Sequence, residues 1–209
     1  MRTCIMTMMP VAGILLGLGE GRRFGGDKLS AEIDGSRLVD IACRHFLEGG
    51  LDPVVFVGVT EPADPRVVRV TPATPTSAMI ESLRLGLEAL RARGAGAFAF
   101  APADMPALTP ALVRTLLAAF ENGGHEFLVP SFEFRRGHPA FARDATAFFS
   151  NGDSGGAREI WKAAGARLHH EVVATSDILF DIDVPEDLAA AGSPESRRAR
   201  LVERGDLDA

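Results

Sequence analysis

Tyrosine is absent from the 209 residues, tryptophan occurs once, and cysteine occurs only at positions 4 and 43. Cys4 and Cys43 supply neither a disulfide framework nor the ligand spacing of a metal site, which makes a reducing cytoplasm the default compartment. No apolar run reaches the ~18 residues that a membrane-spanning helix needs. The stretch after Arg2 resembles a signal peptide superficially, but no A-x-A-type cleavage site closes it, and it runs straight into a glycine-rich segment. Basic charge is also short: 22 Lys and Arg face 28 Asp and Glu, for a net charge of −6. Binding a nucleic-acid backbone wants a broad basic surface, so neither nucleic acid nor membrane is an expected partner. Thirteen phenylalanines beside no tyrosine have no functional explanation in the sequence.

What is present suits one α/β domain. Apolar residues make up 46% of the chain, enough for a buried core, and no repeat or long linker divides it. Residues 1–192 form the expected domain. Residues 193–209 are charged and poor in large apolar side chains, a tail that reads as a solvated helix or as disordered. Short apolar runs alternate with amphipathic stretches, the pattern of a parallel-type sheet covered by helices. Strands are predicted over residues 12–16, 54–57, 67–70, 97–101, 127–130 and 178–182. Asp34-Gly35 is a turn signal. It precedes a helix that carries Leu38, Ile41, Ala42 and Phe46 on one face and stops at Gly49-Gly50. Ser77 caps a predicted helix with Ile80, Leu83, Leu87 and Leu90 in register, and Thr109-Pro110 opens another. Residues 133–136 belong to a hairpin, residues 155–165 read as helical, and a last helix starts at Pro185.

Residues 16–28 are the most informative. Five glycines, Arg22, Arg23 and Lys28 follow directly on the apolar run ending at Leu16. Glycines let backbone N–H groups close on an anion, and the cations add charge and directed hydrogen bonds. A phosphate is the implied ligand. The spacing excludes a P-loop: Asp27 intervenes before Lys28, and Leu29 stands where the Mg²⁺-binding hydroxyl belongs. It excludes the dinucleotide fingerprint G-x-G-x-x-G as well, because the closing position is Arg22 or Phe24.

The pattern L-x-x-G-x-G-x-R-x-G-G-x-K, from Leu16 to Lys28, resembles the opening motif of the MobA-like nucleotidyltransferases related to the molybdenum-cofactor enzymes. Three further segments follow in that family's order: Ala103-Asp104-Met105-Pro106, Arg135-Arg136-Gly137-His138-Pro139, and the run from Phe180 to Leu188. A weaker match spans Gly152 to Arg158. In pattern the chain is most similar to the molybdopterin cytidylyltransferases. The resemblance implies a Rossmann-like, three-layer αβα fold with a mostly parallel sheet. It further implies Mg²⁺-dependent transfer of CMP from CTP, ahead of GMP from GTP, to a phosphorylated acceptor such as molybdopterin, and a molybdoenzyme as a downstream partner.

The same resemblance assigns Leu16, Gly17, Leu18, Gly19, Gly21 and Ser82 to the nucleotide, and Arg23 and Lys28 to its triphosphate. Asp104 and Asp183 become Mg²⁺ ligands, with Asp181 on the same face of the strand. Each has a plainer alternative: an Asx-turn before Pro106 for Asp104, and a helix cap near Pro185 for Asp183. His138, Asp153 and Arg158 fall on the acceptor side, where His138 equally suits a structural hydrogen bond. Leu18, Ala78, Ile80 and Ala103 replace small residues of the family pattern, and Leu18 in particular narrows the expected base pocket. Those departures leave open a nucleotide- or cofactor-binding maturation protein, and the acceptor loops, which have no chemistry-dictated pattern, leave open a transferase for another small phosphate.

Overall fold

The computed structural model describes residues 10–17, 23–72, 79–94, 96–150 and 161–208. Leu18, Gly19, Gly21, Arg22, Ser77, Ala78, Asp153 and Arg158 lie outside the described residues, as does most of the helix predicted over 155–165.

β1 (Val11–Gly17) sets the architecture. Its side chains alternate as a strand requires. Val11 and Leu15 enter one core, while Ala12, Ile14 and Leu16 enter another on the opposite face. A strand buried on both faces needs helices on both sides. On the first face lie α1 (Leu38–Glu48) and α3 (Pro110–Gly123), and on the second α2 (Met79–Arg91) and the short α4 (Thr146–Ser150). The remaining strands are β2 (Glu32–Ile33), β3 (Ser36–Arg37), β4 (Val54–Gly58), β5 (Val68–Val70), β6 (Ala97–Pro102), β7 (Phe127–Phe132), β8 (Arg135–Arg136), β9 (Ala140–Ala142) and β10 (Leu168–Val172). The main sheet runs β10-β7-β9-β6-β1-β4-β5, with β8 paired to β7. β1 pairs in parallel with both β4 and β6, β4 with β5, and β7 with β10, while β9 is antiparallel to β6 and β7. The architecture is thus the three-layer αβα, mostly parallel fold implied by the motifs.

Most of the phenylalanines are structural. Phe46, Phe56, Phe100, Phe120, Phe127, Phe141, Phe148 and Phe180 are all fully buried. A tyrosine at such a position brings a hydroxyl that must find a partner inside the core, and phenylalanine avoids that cost. Local signals match their elements too. Asp34 and Gly35, at φ 51° and 73°, make the two-residue turn between β2 and β3. Thr109 Oγ1 accepts from Leu112 N–H at the start of α3, with Pro110 in the first turn.

Several segments differ from the sequence prediction. Residues 178–182 are not a strand. Thr175 Oγ1 accepts from Asp177 N–H and caps a 3₁₀ turn over Ser176–Leu179, after which the chain runs extended without joining the sheet. β9 and β10 were not predicted. β9 is only three residues long, and β10, Leu-His-His-Glu-Val, is an edge strand too polar to read as a buried one.

The C-terminal segment differs as well. The α5 turn (Glu186–Ala190) leads to α6 (Pro194–Glu203), whose Leu201 is buried along with Leu207 beyond it. Arg197 makes a two-pronged pair with Asp177 at 2.8 and 2.9 Å, both side chains being about one-tenth exposed. The tail is therefore a helix with a solvated outer side, held to the domain by Leu201 and Leu207 and by Arg197, Arg200 and Arg204, which meet aspartates.

Candidate active site

β1, β4 and β6 are parallel, so their C-terminal ends share one edge of the sheet, and the strand order reverses at β1. Open α/β sheets bind ligands at such an edge. A cavity of about 240 Å³ lies there, lined by Leu16 and Gly17 after β1, Asp27 and Lys28 of the loop, Thr60 after β4 and Asp104 after β6. Gly17 is required: a Cβ there would run into the Phe56 ring and Leu29.

Lys28 is aimed by a local device. Asp27 caps a 3₁₀ turn over Lys28–Ser30, accepting from Leu29 N–H at 3.2 Å and from the Ser30 hydroxyl, and it also accepts from Thr60 Oγ1 at 3.3 Å. The Lys28 ammonium lies 2.5 Å from Asp104 Oδ2 and 3.8 Å from Asp183 Oδ1. Arg23 reaches Asp183 Oδ2 at 3.0 Å from an exposed position, a pair that contributes little to stability. Lys28, Arg23, Asp104 and Asp183 therefore converge, although they come from three separate segments.

The plainer alternatives for the two aspartates do not describe this geometry. Asp104 Oδ2 is taken by Lys28, and Oδ1 is buried without a hydrogen-bond partner, so the side chain forms no Asx-turn among the described residues. Among the described residues no side chain caps the start of α5, so Asp183 is not its cap. Asp187, inside α5, instead reaches back with a fully buried carboxylate that accepts from the N–H groups of Asp183 and Val184 at 2.7 and 2.9 Å. Burial alone would raise the Asp187 pKa, but the Arg200 guanidinium and those two N–H groups outweigh it and hold the carboxyl below its ordinary range. Ile182 N–H donates to the Asp104 carbonyl at 2.9 Å, which brings the two aspartate segments together. Asp181 instead turns to Arg204, and its pKa is raised by burial, with Asp183 and Asp104 adding to the rise.

The orphaned Oδ1 of Asp104 tests whether a divalent cation fits. A buried carboxylate oxygen with no donor suits a cation, and Mg²⁺ is commonly held by one or two carboxylates completed by phosphate oxygens. Among the described residues no group of three His, Cys, Asp or Glu could hold a metal alone. The donor set fits a metal that arrives with a nucleotide.

Beyond Asp104 a second cavity, of about 840 Å³, is lined by Phe100, Arg135, Arg136, His138, Trp161 and Asp181, among others. The His138 ring packs edge-on to Phe100, its Nδ1 is buried without a partner, and burial pushes its pKa down to about 4. His138 is therefore neutral at physiological pH and offers no positive charge to a phosphate. Ser82 is buried within α2 and lines neither cavity, while Ile80 belongs to the core beneath α2. Ala103 is likewise buried, and its N–H donates to the Leu16 carbonyl. Asp27, Asp187 and Arg204 were not singled out from the sequence. Asp27 had a signal in the Asp-x-x-Ser spacing of a cap, whereas the pairing of Asp187 with Arg200 and of Arg204 with Asp181 joins residues distant in sequence.

Fold and loop together define the class, a Rossmann-like nucleotidyltransferase. Residues 13–171 match the family model described as the MobA-like NTP transferase domain, and the chain belongs to that family. Among solved structures, Rv0371c from Mycobacterium tuberculosis H37Rv is 21% identical, with a TM-score of 0.68 over 89% of this chain and 98% of its own. The same protein in complex with manganese gives 19%, 0.57, 93% and 98% in that order. The 2-C-methyl-D-erythritol 4-phosphate cytidylyltransferase from Thermus thermophilus is 18% identical, with a TM-score of 0.60 and coverages of 88% and 97%. Molybdopterin-guanine dinucleotide biosynthesis protein A from Archaeoglobus fulgidus is 18% identical, with a TM-score of 0.58 and coverages of 91% and 98%. No curated protein matches the chain. No helix among the described residues is long and apolar enough to cross a membrane.

Proposed function

We propose that the protein transfers CMP from CTP, with GTP as the second choice, to a phosphorylated acceptor of the molybdopterin class and releases pyrophosphate. One observation carries this reading: Lys28, Asp104 and Asp183 converge at the C-terminal edge of the sheet, where Lys28 and Asp104 line the smaller cavity. The smaller cavity suits the triphosphate, and the larger, with Arg135 and Arg136 on its rim, suits an anionic acceptor. The choice of cytidine rests on the motif pattern, and a cytidylyltransferase and a guanine-dinucleotide protein both stand among the structural neighbours.

An oxygen of the acceptor phosphate attacks the α-phosphorus in line, the bond to the bridging oxygen breaks, and pyrophosphate departs with the electron pair. The acceptor is already a nucleophile, so the protein need only position the reactants and offset charge. Lys28 exchanges Asp104 for a phosphate oxygen and, with Arg23, meets the charge that builds on the leaving group. Asp104 and Asp183 would hold Mg²⁺, which when bound neutralises charge on the reacting phosphates. Neutral His138 serves as a hydrogen-bonding wall of the acceptor cavity.

The test is pyrophosphate release from CTP and from GTP with Mg²⁺ and molybdopterin, for the wild type and Asp104→Asn. Turnover with CTP is expected, and the variant should lose at least about a hundredfold with unchanged circular dichroism. Near-normal turnover in folded Asp104→Asn would sink the metal assignment.

A further inference from the structure

We infer that Arg204, just past the end of α6, is a positioning residue of the active site that holds Asp183 and Asp181 where a metal–nucleotide complex must meet them. The inference rests on the nucleotidyltransferase reading, but it concerns residues outside the family match, which ends at residue 171.

The Arg204 guanidinium is the hub of an acidic cluster. Its Nη2 lies 2.8 Å from Asp181 Oδ1 and 3.5 Å from Asp183 Oδ2. Nη1 donates to the Asp181 carbonyl at 3.0 Å and approaches Asp187 Oδ2 at 3.4 Å. Nε pairs with Asp206 at 2.8 Å. One planar, permanently charged group thus serves four aspartates, which a lysine ammonium with a single point of charge cannot reproduce.

The group is also fixed. Its side chain is less than one-fifth exposed, and its backbone N–H closes α6 on the Arg200 carbonyl. α6 is in turn anchored by the buried Arg197–Asp177 pair and by Leu201.

Without Arg204, Asp181 and Asp183 face each other with no shared cation, and Asp183 is left to Lys28 and Arg23. Those are the two cations that the triphosphate needs. Arg204 therefore frees them by supplying a third positive charge from behind, and it keeps Asp183 facing Asp104. Partners that orient metal-binding carboxylates typically alter metal affinity or activity by about 10- to 100-fold when removed.

The experiment titrates Mn²⁺ together with equimolar CTP, and no acceptor, into the full chain, reading protein-bound Mn²⁺ by electron paramagnetic resonance. It compares wild type, Arg204→Ala, Arg204→Gln and Arg198→Ala, with the Mg²⁺ dependence of pyrophosphate release measured alongside. Arg204→Ala is expected to weaken Mn²⁺ binding about tenfold and to raise the Mg²⁺ half-saturation by a similar factor, with a smaller change in kcat. Arg198 pairs with Glu133 away from the cluster, so Arg198→Ala should match the wild type. If Arg204→Ala does not fold, Arg204→Gln, which keeps the packed stem, is judged by the same criterion. Wild-type Mn²⁺ affinity in a folded Arg204 variant overturns the inference, as does absence of Mn²⁺ binding by the wild type. Wild type that binds Mn²⁺ yet releases no pyrophosphate sinks the transferase reading, while the Mn²⁺ comparison still decides the role of Arg204.

Discussion

Lys28 and Asp104 are 76 positions apart, yet each holds the other in place. Both were legible in the sequence because motif spacing fixes residue types at strand ends, where the chain has few other reasons to place a lysine or an aspartate. The state of His138 was not legible, since it depends on the Phe100 ring and the buried surroundings of Nδ1. Its pKa of about 4 lies below the ordinary histidine value, so the neutral form is the one the fold favours. The stability this contributes is present above about pH 6.5 and is lost as the pH falls from there toward 4. Nuclear magnetic resonance titration of the His138 ring should show no protonation between pH 7.5 and 5.5. A midpoint near 6.5 would return His138 to the role of a cation for the acceptor phosphate.

At the scale of elements, the helices were the most readable, because caps and 3.6-residue rhythm are local signals. α3 carries its Thr109 cap and Gly124 stop in the sequence itself. The segment from 178 to 182 was misread because an apolar run beside acidic residues fits a strand equally well as an extended connection. Its 3₁₀ turn and the bond from Ile182 N–H to the Asp104 carbonyl are decided by neighbours far along the chain. The hairpin of β7 and β8 was predicted, but its turn is made by Glu133 and Phe134 at φ 48° and 64°, in the region that favours glycine. Asp187 is the element-scale device that shapes the site, through the bonds it accepts from the N–H groups of Asp183 and Val184. Asp187→Ala leaves two N–H groups and Arg200 without their acceptor, and is expected to cost about 3 kcal/mol in chemical unfolding. Because the folded-state pKa of Asp187 is depressed, its contribution is present above about pH 4 and is lost as the pH falls through the folded value. The stability gap between wild type and variant should therefore narrow below about pH 4, and a gap independent of pH would contradict the assignment.

For the molecule as a whole, composition and alternation of apolar runs were enough to indicate a layered α/β domain, since burial of strands on both faces leaves few other solutions. The role of the C-terminal segment was hidden, because charged composition suggests solvent and says nothing of which aspartates await the arginines. Deleting residues 193–209 removes Leu201, Leu207 and the partner of buried Asp177. Burial of two leucines alone accounts for roughly 3–6 kcal/mol, so the truncated protein should unfold at markedly lower temperature or fail to fold. An unchanged melting temperature would mean that the segment is dispensable. The central claim is nucleotidyl transfer at the Lys28–Asp104 site, and phosphorus magnetic resonance of the full chain with Mg²⁺, CTP and molybdopterin tests it most directly. Wild type should show a new phosphoanhydride signal growing in step with pyrophosphate, and folded Lys28→Ala should lose it; CTP and GTP both left unconsumed by wild type, or equal turnover in the variant, would contradict transfer at this site.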